Sequence, residues 1–132
     1  MIDTQRLARR FTSLVEIDSL SRRERDIAVY LEEILSSMGA RVIYDDAKDK
    51  VDGNSSNMIA RFKGTVDRDP VFLSGHMDPV GPGEGVKPAL KDGVFIIDGT
   101  TILRADDKSD TAVSLEVTDV LLDNKIDYPP VD

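Results

Sequence analysis

The sequence predicts an α/β fold, a three-layer sandwich in which helices flank a mixed, mostly parallel sheet. Segments with the apolar period of amphipathic helices occur near both ends of the chain, and short apolar runs bounded by turn residues lie between them. The chain has 132 residues, 40% of them hydrophobic, which is enough for one domain with its own core. We find no internal repeat and no interdomain linker.

Two amphipathic helices are predicted near the N-terminus. The first covers about residues 3–17, with an apolar stripe of Leu7, Phe11, Leu14 and Val15. The second opens at Ser21-Arg22-Arg23-Glu24, a capping-box pattern in which hydroxyl and carboxylate satisfy free N–H groups, and it ends at Gly39. Its apolar face contains Ile27, Leu31, Ile34, Leu35 and Met38. Such a face packs in a core more often than it forms a groove for a partner.

Short strands are predicted through the middle of the chain, at residues 41–44, 57–62, 71–74, 94–97 and 101–103. The polar stretch from Asp45 to Ser56 is predicted to be a loop. The glycine-rich stretch 81–85 lacks the Lys-Ser/Thr pair of a phosphate-binding loop, so we interpret it as the rim of a site. A last helix over 109–123 is predicted to turn four apolar residues inward: Val113, Val117, Val120 and Leu121.

Composition and charge exclude several classes of function. A net charge of −8 argues against a nucleic-acid surface, which needs clustered basic residues. The absence of cysteine excludes disulfides and thiolate metal sites. The first residues lack the apolar region of a signal peptide, and no apolar run approaches the roughly 20 residues that span a membrane. We therefore expect a cytoplasmic protein with no membrane partner.

The residues with the clearest chemical meaning are His76 and Asp78, which follow the predicted strand 71–74. His76 is the one histidine of the chain. A carboxylate two residues beyond it can accept the second ring N–H, as partners of metal-binding histidines commonly do. Asp106 and Asp107 supply hard oxygens at another predicted strand end. Histidine with carboxylates suits Zn²⁺, Mn²⁺ or Co²⁺ in a hydrolytic site.

Each of these patterns also has a purely structural interpretation. A single histidine near a strand end is more often a hydrogen-bonded structural residue than a metal ligand. Paired aspartates before a helix more often cap it, because their carboxylates accept the free N–H groups of the first turn. Both carboxylate-rich turns end predicted strands of one sheet, and this favours a common site without identifying the reaction.

Four motifs together resemble the peptidase T branch of the M20 zinc metallopeptidases. They are Gly75-His76-Met77-Asp78, Gly83-Glu84-Gly85-Val86-Lys87-Pro88, Asp98-Gly99-Thr100-Thr101-Ile102-Leu103 and Ala105-Asp106-Asp107-Lys108. The resemblance implies that His76 is a terminal zinc ligand, that Asp78 is a catalytic residue orienting His76, and that Asp106 bridges two zinc ions. Co²⁺ or Mn²⁺ could replace zinc. The resemblance also implies a cis peptide bond between Asp106 and Asp107.

The chain departs from the family pattern near the bridging aspartate. Arg104 and Asp110 stand where the family usually has glycine, and Ser109 stands where it has alanine. Arginine and aspartate bring bulk and charge to positions where a close backbone approach is expected. The three predicted site residues are intact, but the departures raise the question of whether the usual geometry survives.

The resemblance also implies that residues 1–132 are the N-terminal part of a catalytic domain. The family's general-base glutamate, its remaining ligands and its dimerisation or lid domain have no counterpart in the sequence. The expected function is therefore that of an N-terminal portion of an aminotripeptidase-like enzyme, which hydrolyses short peptides with metal-activated water; the isolated chain is expected to be inactive. The alternative is a non-catalytic domain that acts through metal binding or self-association. We expect a homo-oligomer, because an incomplete sheet leaves an edge that recruits other chains.

Overall fold

The computed structural model of the chain describes residues 1–81 and 84–132. Its elements follow the order α1 (Thr4–Glu16), α2 (Arg25–Ser37), β1 (Arg41–Tyr44), α3 (Ala47–Val51), β2 (Met58–Arg61), β3 (Ala89–Lys91), β4 (Val94–Ile96) and α4 (Ala105–Asp123). The first two helices and β1 confirm the sequence prediction closely. The predicted loop 45–56 contains the short helix α3, which the polar composition did not indicate.

Helix α1 has a well-defined start and a buried apolar stripe. The Asp3 carboxylate accepts the N–H groups of Gln5 and Arg6, both at 3.0 Å, and so caps the first turn. Phe11 lies against Phe95 of β4, with ring centroids 4.6 Å apart. The hydrophobic core around this contact is formed mainly by residues of α1, α2 and α4. Its buried members are Phe11, Leu14, Val15, Ile27, Leu31, Val86, Ala112 and Leu115.

Helices α1 and α4 are also joined by a network of charged side chains. Glu116 is only 2% exposed, and its two carboxylate oxygens accept hydrogen bonds from Arg6 Nε and Nη2 at 2.7 and 3.0 Å. Arg10 forms an ion pair with Asp119 in the same network. Glu116 accepts the Asp3 N–H as well, at 2.7 Å, so it ties the N-cap of α1 to the middle of α4.

This network explains why two residues of the predicted inward face of α4, Val113 and Val117, are exposed, while Val120 and Leu121 are half-buried. Val113 and Val117 are 48% and 42% exposed, whereas Leu115, Glu116 and Thr118 are buried. A hydrophobic pattern cannot anticipate a buried carboxylate, because its burial depends on cations supplied by a distant helix. Within residues 1–81 and 84–132, no helix combines the length and apolar character needed to cross a bilayer.

The described strands form two small antiparallel sheets. Strand β1 pairs with β2 in the register Arg41↔Arg61, and β3 pairs with β4 around the Asp92-Gly93 turn. Strand β3 was not predicted, and residues 101–103, predicted as a strand, are not one. The fold is thus a mixed α/β domain, but the predicted three-layer sandwich with a mostly parallel sheet is not confirmed.

One parallel contact does occur, between the predicted strand at 71–74 and the end of the chain. Val131 forms an antiparallel bridge with Phe62 and a parallel bridge with Val71, so it lies between them. Among the described residues, the backbone partners of segment 71–74 are Pro130 and Asp132: the Pro130 carbonyl accepts the Val71 N–H at 2.8 Å, and Asp132 bonds with Val71 and Leu73. The predicted strand at 71–74 is therefore represented by a single parallel bridge.

The predicted capping box at Ser21 is also wrong. Helix α2 begins at Arg25, and the N-cap residue Glu24 makes no side-chain capping bond. Its carboxylate accepts the Arg22 N–H at 2.6 Å instead, and the Ser21 hydroxyl donates to Asp78. Residues 21–24 have the spacing of a capping box, but the Ser21 hydroxyl donates its hydrogen bond to Asp78, far away in the sequence, and not to the start of α2.

We expect Glu116→Gln to lower the free energy of unfolding by about 2 kcal/mol, because Arg6 and the Asp3 N–H lose a charged, buried acceptor. The hydrogen bond from Arg6 holds the pKa of Glu116 below its ordinary value. Its stabilising effect is therefore present above pH of about 4.5 and is lost as the pH falls through the lowered pKa. Urea unfolding at pH 7 and at pH 3 measures both effects.

The matched control is Asp123→Asn, which removes the charge of another Arg6 partner whose side chain is 59% exposed. This variant should differ from the parent by about 0.5 kcal/mol or less. Equal effects of the two substitutions would contradict a special role for the buried carboxylate.

Candidate metal centre

The structure brings the three predicted site residues together. His76 Nε2 lies 3.3 Å from Asp106 Oδ1, and His76 Nδ1 lies 3.3 Å from Asp78 Oδ1. The two nitrogens of one imidazole ring therefore face the two aspartates separately. The predicted arrangement, with Asp106 on one side of the ring and Asp78 on the other, is present.

The backbone determines which ring nitrogen of neutral His76 carries the proton. Nδ1 lies 2.6 Å from the carbonyl oxygen of Asp78, and a carbonyl can only accept, so Nδ1–H donates this bond. The lone pair of the neutral ring is then on Nε2, on the side of Asp106. This is the tautomer that a histidine needs in order to bind a metal through Nε2.

The charges around His76 alter its pKa. Partial burial lowers the pKa, but hydrogen bonds with the Asp78 carbonyl and the Asp106 carboxylate raise it, and the net shift is upward. A neighbouring anion thus stabilises the protonated ring when no cation is present. A divalent cation would compete with that proton for Nε2.

Three further residues support the site: the sequence analysis named Asp107 as an oxygen donor without a supporting role, and it did not connect Ser19 or Ser21 with the site. Ser19, which is fully buried, donates its hydroxyl to the Met77 carbonyl at 2.8 Å. The Ser21 hydroxyl donates to the Asp78 carboxylate, on Oδ2. Asp107 accepts the backbone N–H of His76 at 3.2 Å. Both serines lie in the segment that follows α1; Ser21 was predicted to cap a helix, and no prediction was made for Ser19.

Lys108 and Arg104 hold the start of α4 against the end of α1. The buried Lys108 ammonium donates to the carbonyls of Leu14 and Ile17 at 2.7 and 2.8 Å. Burial first, and then repulsion from Arg104, lower the pKa of Lys108 to about 8. Asp106 lies two residues before this anchor, which fixes where its carboxylate stands.

The family departures at Arg104 and Asp110 have different consequences. Arg104 has φ 61°, a left-handed conformation that favours glycine, yet its side chain is completely buried and pairs with Asp18 Oδ1 at 2.9 Å. The ion pair satisfies Nη1 of the guanidinium, whereas the buried Nε and Nη2 have no hydrogen-bond partner among the described residues. The pKa of Asp110 is raised, first by its hydrogen bond with Asp107 and then by repulsion between the carboxylates, which places the Asp110 carboxyl against Asp107 beside the site.

The peptide bond between Asp106 and Asp107 is cis, as predicted. The Asp106 side chain is 84% exposed and that of His76 is 47% exposed, so solvent reaches the Nε2 side of the ring. The predicted rim loop includes Pro82 and Gly83, which lie outside the described residues. Gly85, just after them, donates its N–H to Asp18 Oδ1 at 3.0 Å.

The types of donor atom near His76 suit Zn²⁺, Co²⁺ or Mn²⁺, but there are fewer candidate ligands than such an ion usually has. Imidazole nitrogen and carboxylate oxygen are the ligand types that Zn²⁺, Co²⁺ and Mn²⁺ accept. Catalytic zinc usually has three protein ligands. Across residues 1–81 and 84–132, no group of three or more histidine or acidic side chains is arranged to hold an ion. The ligand roles of His76 and Asp106 stay predictions.

Comparison with known proteins places this geometry in context. No protein-family model matches the chain. The protein YqjE of Bacillus subtilis (strain 168), itself uncharacterised, is 38% identical over 132 residues, which are 100% of this chain and 36% of YqjE. The chain thus spans about a third of the length of this relative.

Solved peptidase structures match the whole fold. A tripeptidase from Staphylococcus aureus subsp. aureus Mu50 has a TM-score of 0.94 and 37% identity, and the match covers 99% of this chain and 35% of the tripeptidase. Aminopeptidase PepT from Bacillus cereus ATCC 10987 has a TM-score of 0.94 and 36% identity, covering 98% of this chain and 35% of PepT.

A more distant structure shares the fold alone. Aminoacylhistidine dipeptidase from Vibrio alginolyticus has a TM-score of 0.74 and 21% identity, covering 99% of this chain and 27% of the dipeptidase. The resemblance to M20 peptidases of the peptidase T branch is confirmed by the two peptidases above.

We expect Gly75→Ala to displace the Asp107 carboxylate that accepts the backbone N–H of His76. A Cβ at this position would lie 2.8 Å from Asp107 Oδ2 and 3.4 Å from Thr111 Oγ1, so the carboxylate that accepts the His76 N–H must move. The free energy of unfolding should fall by about 1–2 kcal/mol. The His76 ring resonances should also shift, and they are easily identified because the chain has one histidine.

The matched control is Gly81→Ala, where no described atom lies within 4 Å of the added Cβ. Its unfolding free energy should stay within about 0.5 kcal/mol of the parent. If Gly75→Ala left both stability and the histidine resonances unchanged, the close packing of Gly75 against Asp107 would be refuted.

Proposed function

We propose that this chain, which is similar over its whole length to about a third of a tripeptidase and of an aminopeptidase PepT, supplies the first part of a peptidase active site. The reaction would be hydrolysis of a short peptide to release its N-terminal residue. The observation that carries the proposal is the placement of His76 Nε2 and Asp106 Oδ1 at 3.3 Å, with Asp78 on the other ring nitrogen.

In this proposal His76 and Asp106 hold zinc, with Asp106 bridging two ions, and Co²⁺ or Mn²⁺ can replace it. When bound, such a pair acts as a Lewis acid on the scissile carbonyl and lowers the pKa of water toward neutrality. Two protein ligands do not complete either ion's coordination. The remaining ligands and the general-base glutamate would come from polypeptide outside residues 1–132, which would also complete the three-layer catalytic domain and add the lid or dimerisation domain.

The role proposed for Asp78 is to orient His76. Its main-chain carbonyl accepts the Nδ1–H and its side chain stands 3.3 Å from the same nitrogen, so both groups favour the tautomer with a free Nε2. The Ser21 hydroxyl restrains the Asp78 carboxylate in turn. Loss of a supporting carboxylate of this kind typically lowers metal affinity or activity by about 10–100-fold.

A second candidate function is favoured by the incomplete donor set and by exposed apolar residues. Phe72 is 73% exposed, and its neighbours Val71 and Leu73 are 44% and 40% exposed. A chain with these features could bind a single ion weakly and self-associate without catalysis. The homo-oligomer expected from the sequence belongs to this alternative.

The test of the enzyme proposal uses the natural gene product that contains this sequence. We expect a mass well above 14.6 kDa, tripeptide hydrolysis in the presence of zinc, and a loss of turnover of about 10³-fold or more for His76→Ala and Asp106→Asn. Residues 1–132 alone should show no turnover. A natural product of 14.6 kDa without peptidase activity would refute the enzyme proposal and leave the non-catalytic one.

Asp123→Asn serves as the control, since it removes an exposed carboxylate on the same helix as Asp106. It should retain the turnover and metal content of the parent. Co²⁺ titration of residues 1–132 followed by absorbance separates binding from catalysis: His76→Ala should weaken binding by at least about 10-fold, and Asp123→Asn should not.

A further inference from the structure

Arg104 occupies its position at several costs to stability. Its backbone has φ 61°, a conformation that favours glycine, and its side chain is completely buried. Within residues 1–81 and 84–132, the guanidinium Nε and Nη2 have no hydrogen-bond partner. Arg104 also repels the buried ammonium of Lys108. A glycine would avoid all these costs, so the presence of the arginine has to be explained by a contact that it makes.

That contact is the ion pair with Asp18, in which Arg104 Nη1 lies 2.9 Å from Asp18 Oδ1. The same oxygen accepts the backbone N–H of Gly85 at 3.0 Å, which its second lone pair allows. The Asp18 side chain is 49% exposed, so water competes for its carboxylate. Arg104 Nη1 also donates to the Ile17 carbonyl at 3.3 Å, and this fixes the cation that holds the carboxylate toward Gly85.

The residue after Asp18 connects this hydrogen bond with the candidate metal centre. Ser19 donates its hydroxyl at 2.8 Å to the carbonyl of Met77, which directly follows the candidate ligand histidine. Consecutive Cα atoms are about 3.8 Å apart. Two neighbouring residues therefore hold Gly85 and the turn that carries the histidine. Val86, which follows Gly85, is buried in the hydrophobic core, so Gly85 is the point where the predicted rim joins the core.

We propose that Arg104, acting through Asp18, is a positioning residue for peptide binding, because it fixes the rim at Gly85 beside the candidate metal centre. The inference rests on the proposed peptidase function. Arg104 precedes Asp106 by two residues, so one short segment carries both a candidate ligand and the cation that fixes the rim. Loss of the guanidinium weakens peptide binding more than the chemical step, since Asp106 and His76 keep contacts of their own.

The first measurement is amide hydrogen exchange of the natural gene product that contains this sequence, read at single residues by mass spectrometry. Arg104→Gly suits the backbone conformation but has no side chain, and Arg104→Met keeps the bulk but has no charge. We expect the Gly85 amide to exchange about 5–10-fold faster in both variants, because each leaves Asp18 without its cation. The urea unfolding midpoint of Arg104→Gly should equal or exceed that of the parent, since a buried cation and a strained backbone are removed.

Two controls separate this effect from general loosening. The Ala47 amide also donates to a carboxylate, that of Asp45 at 2.9 Å, and its exchange should stay the same in every variant. Arg61→Met removes a different arginine–aspartate pair, in which the arginine side chain is 54% exposed, and it should leave the Gly85 amide unchanged.

Three outcomes of these measurements would overturn the proposal. Unchanged Gly85 exchange in Arg104→Gly would mean that the arginine only occupies a position suited to glycine. Unchanged Gly85 exchange in Arg104→Met would mean that only its bulk matters. A lower urea midpoint for Arg104→Gly would mean that the arginine serves stability.

The second measurement is tripeptide hydrolysis by the same variants of the natural gene product. Arg104→Gly should raise KM by about 5-fold or more and leave kcat within about 2-fold of the parent, as expected when uniform substrate binding is lost. Arg61→Met should change neither constant. An equal fall of kcat and kcat/KM in Arg104→Gly would contradict a role in peptide binding. If the natural product is not a peptidase, the proposed function fails, and the exchange of Gly85 still decides whether Arg104 fixes the rim.

Discussion

The buried ammonium of Lys108 is the contact on which the rest of the structure depends. The last carbonyls of a helix have no partner within the helix, and Lys108 satisfies those of Leu14 and Ile17 at the end of α1. A cation near a helix C-terminus is also favoured by the helix dipole. The cost is the desolvation of a charge, which is visible in the pKa lowered to about 8. One side chain thereby fixes the start of α4 against the end of α1.

The contact between the start of α4 and the end of α1 also positions the other residues of the candidate site. The chain leaves α1 through Ser19 and Ser21, whose hydroxyls hold Met77 and Asp78. On the α4 side, Asp106 faces the ring of His76 and Asp107 holds its backbone. The candidate ligands are thus positioned by a helix end and a loop, and they do not require a completed sheet. This accounts for the close approach of His76 and Asp106 in a domain whose strands are few.

The sequence could predict the elements whose determinants are local. The stripe of α1, the face of α2 and the turn at Gly39 follow from periodicity and backbone preference, and all are present. It could not predict the partner of Ser21 or the burial of Glu116, because each depends on a residue more than 50 positions away. The proximity of His76 and Asp106 was predicted because both follow predicted strands and because the family resemblance implies it. No feature of the sequence indicated that Ser19 and Ser21 would hydrogen-bond to Met77 and Asp78.

The bridges of Val131 have a consequence for how the protein is made. Phe62 and Val71 meet across Val131, a residue synthesised at least 60 positions after them. On the ribosome, α1, α2 and the β1–β2 hairpin can form from local contacts while segment 71–75 still lacks its neighbour. The backbone groups of this segment lack that partner until residues 130–132 have been synthesised. During this interval its apolar residues are open to chaperones and to other nascent chains, which makes the order of synthesis itself a determinant of correct folding.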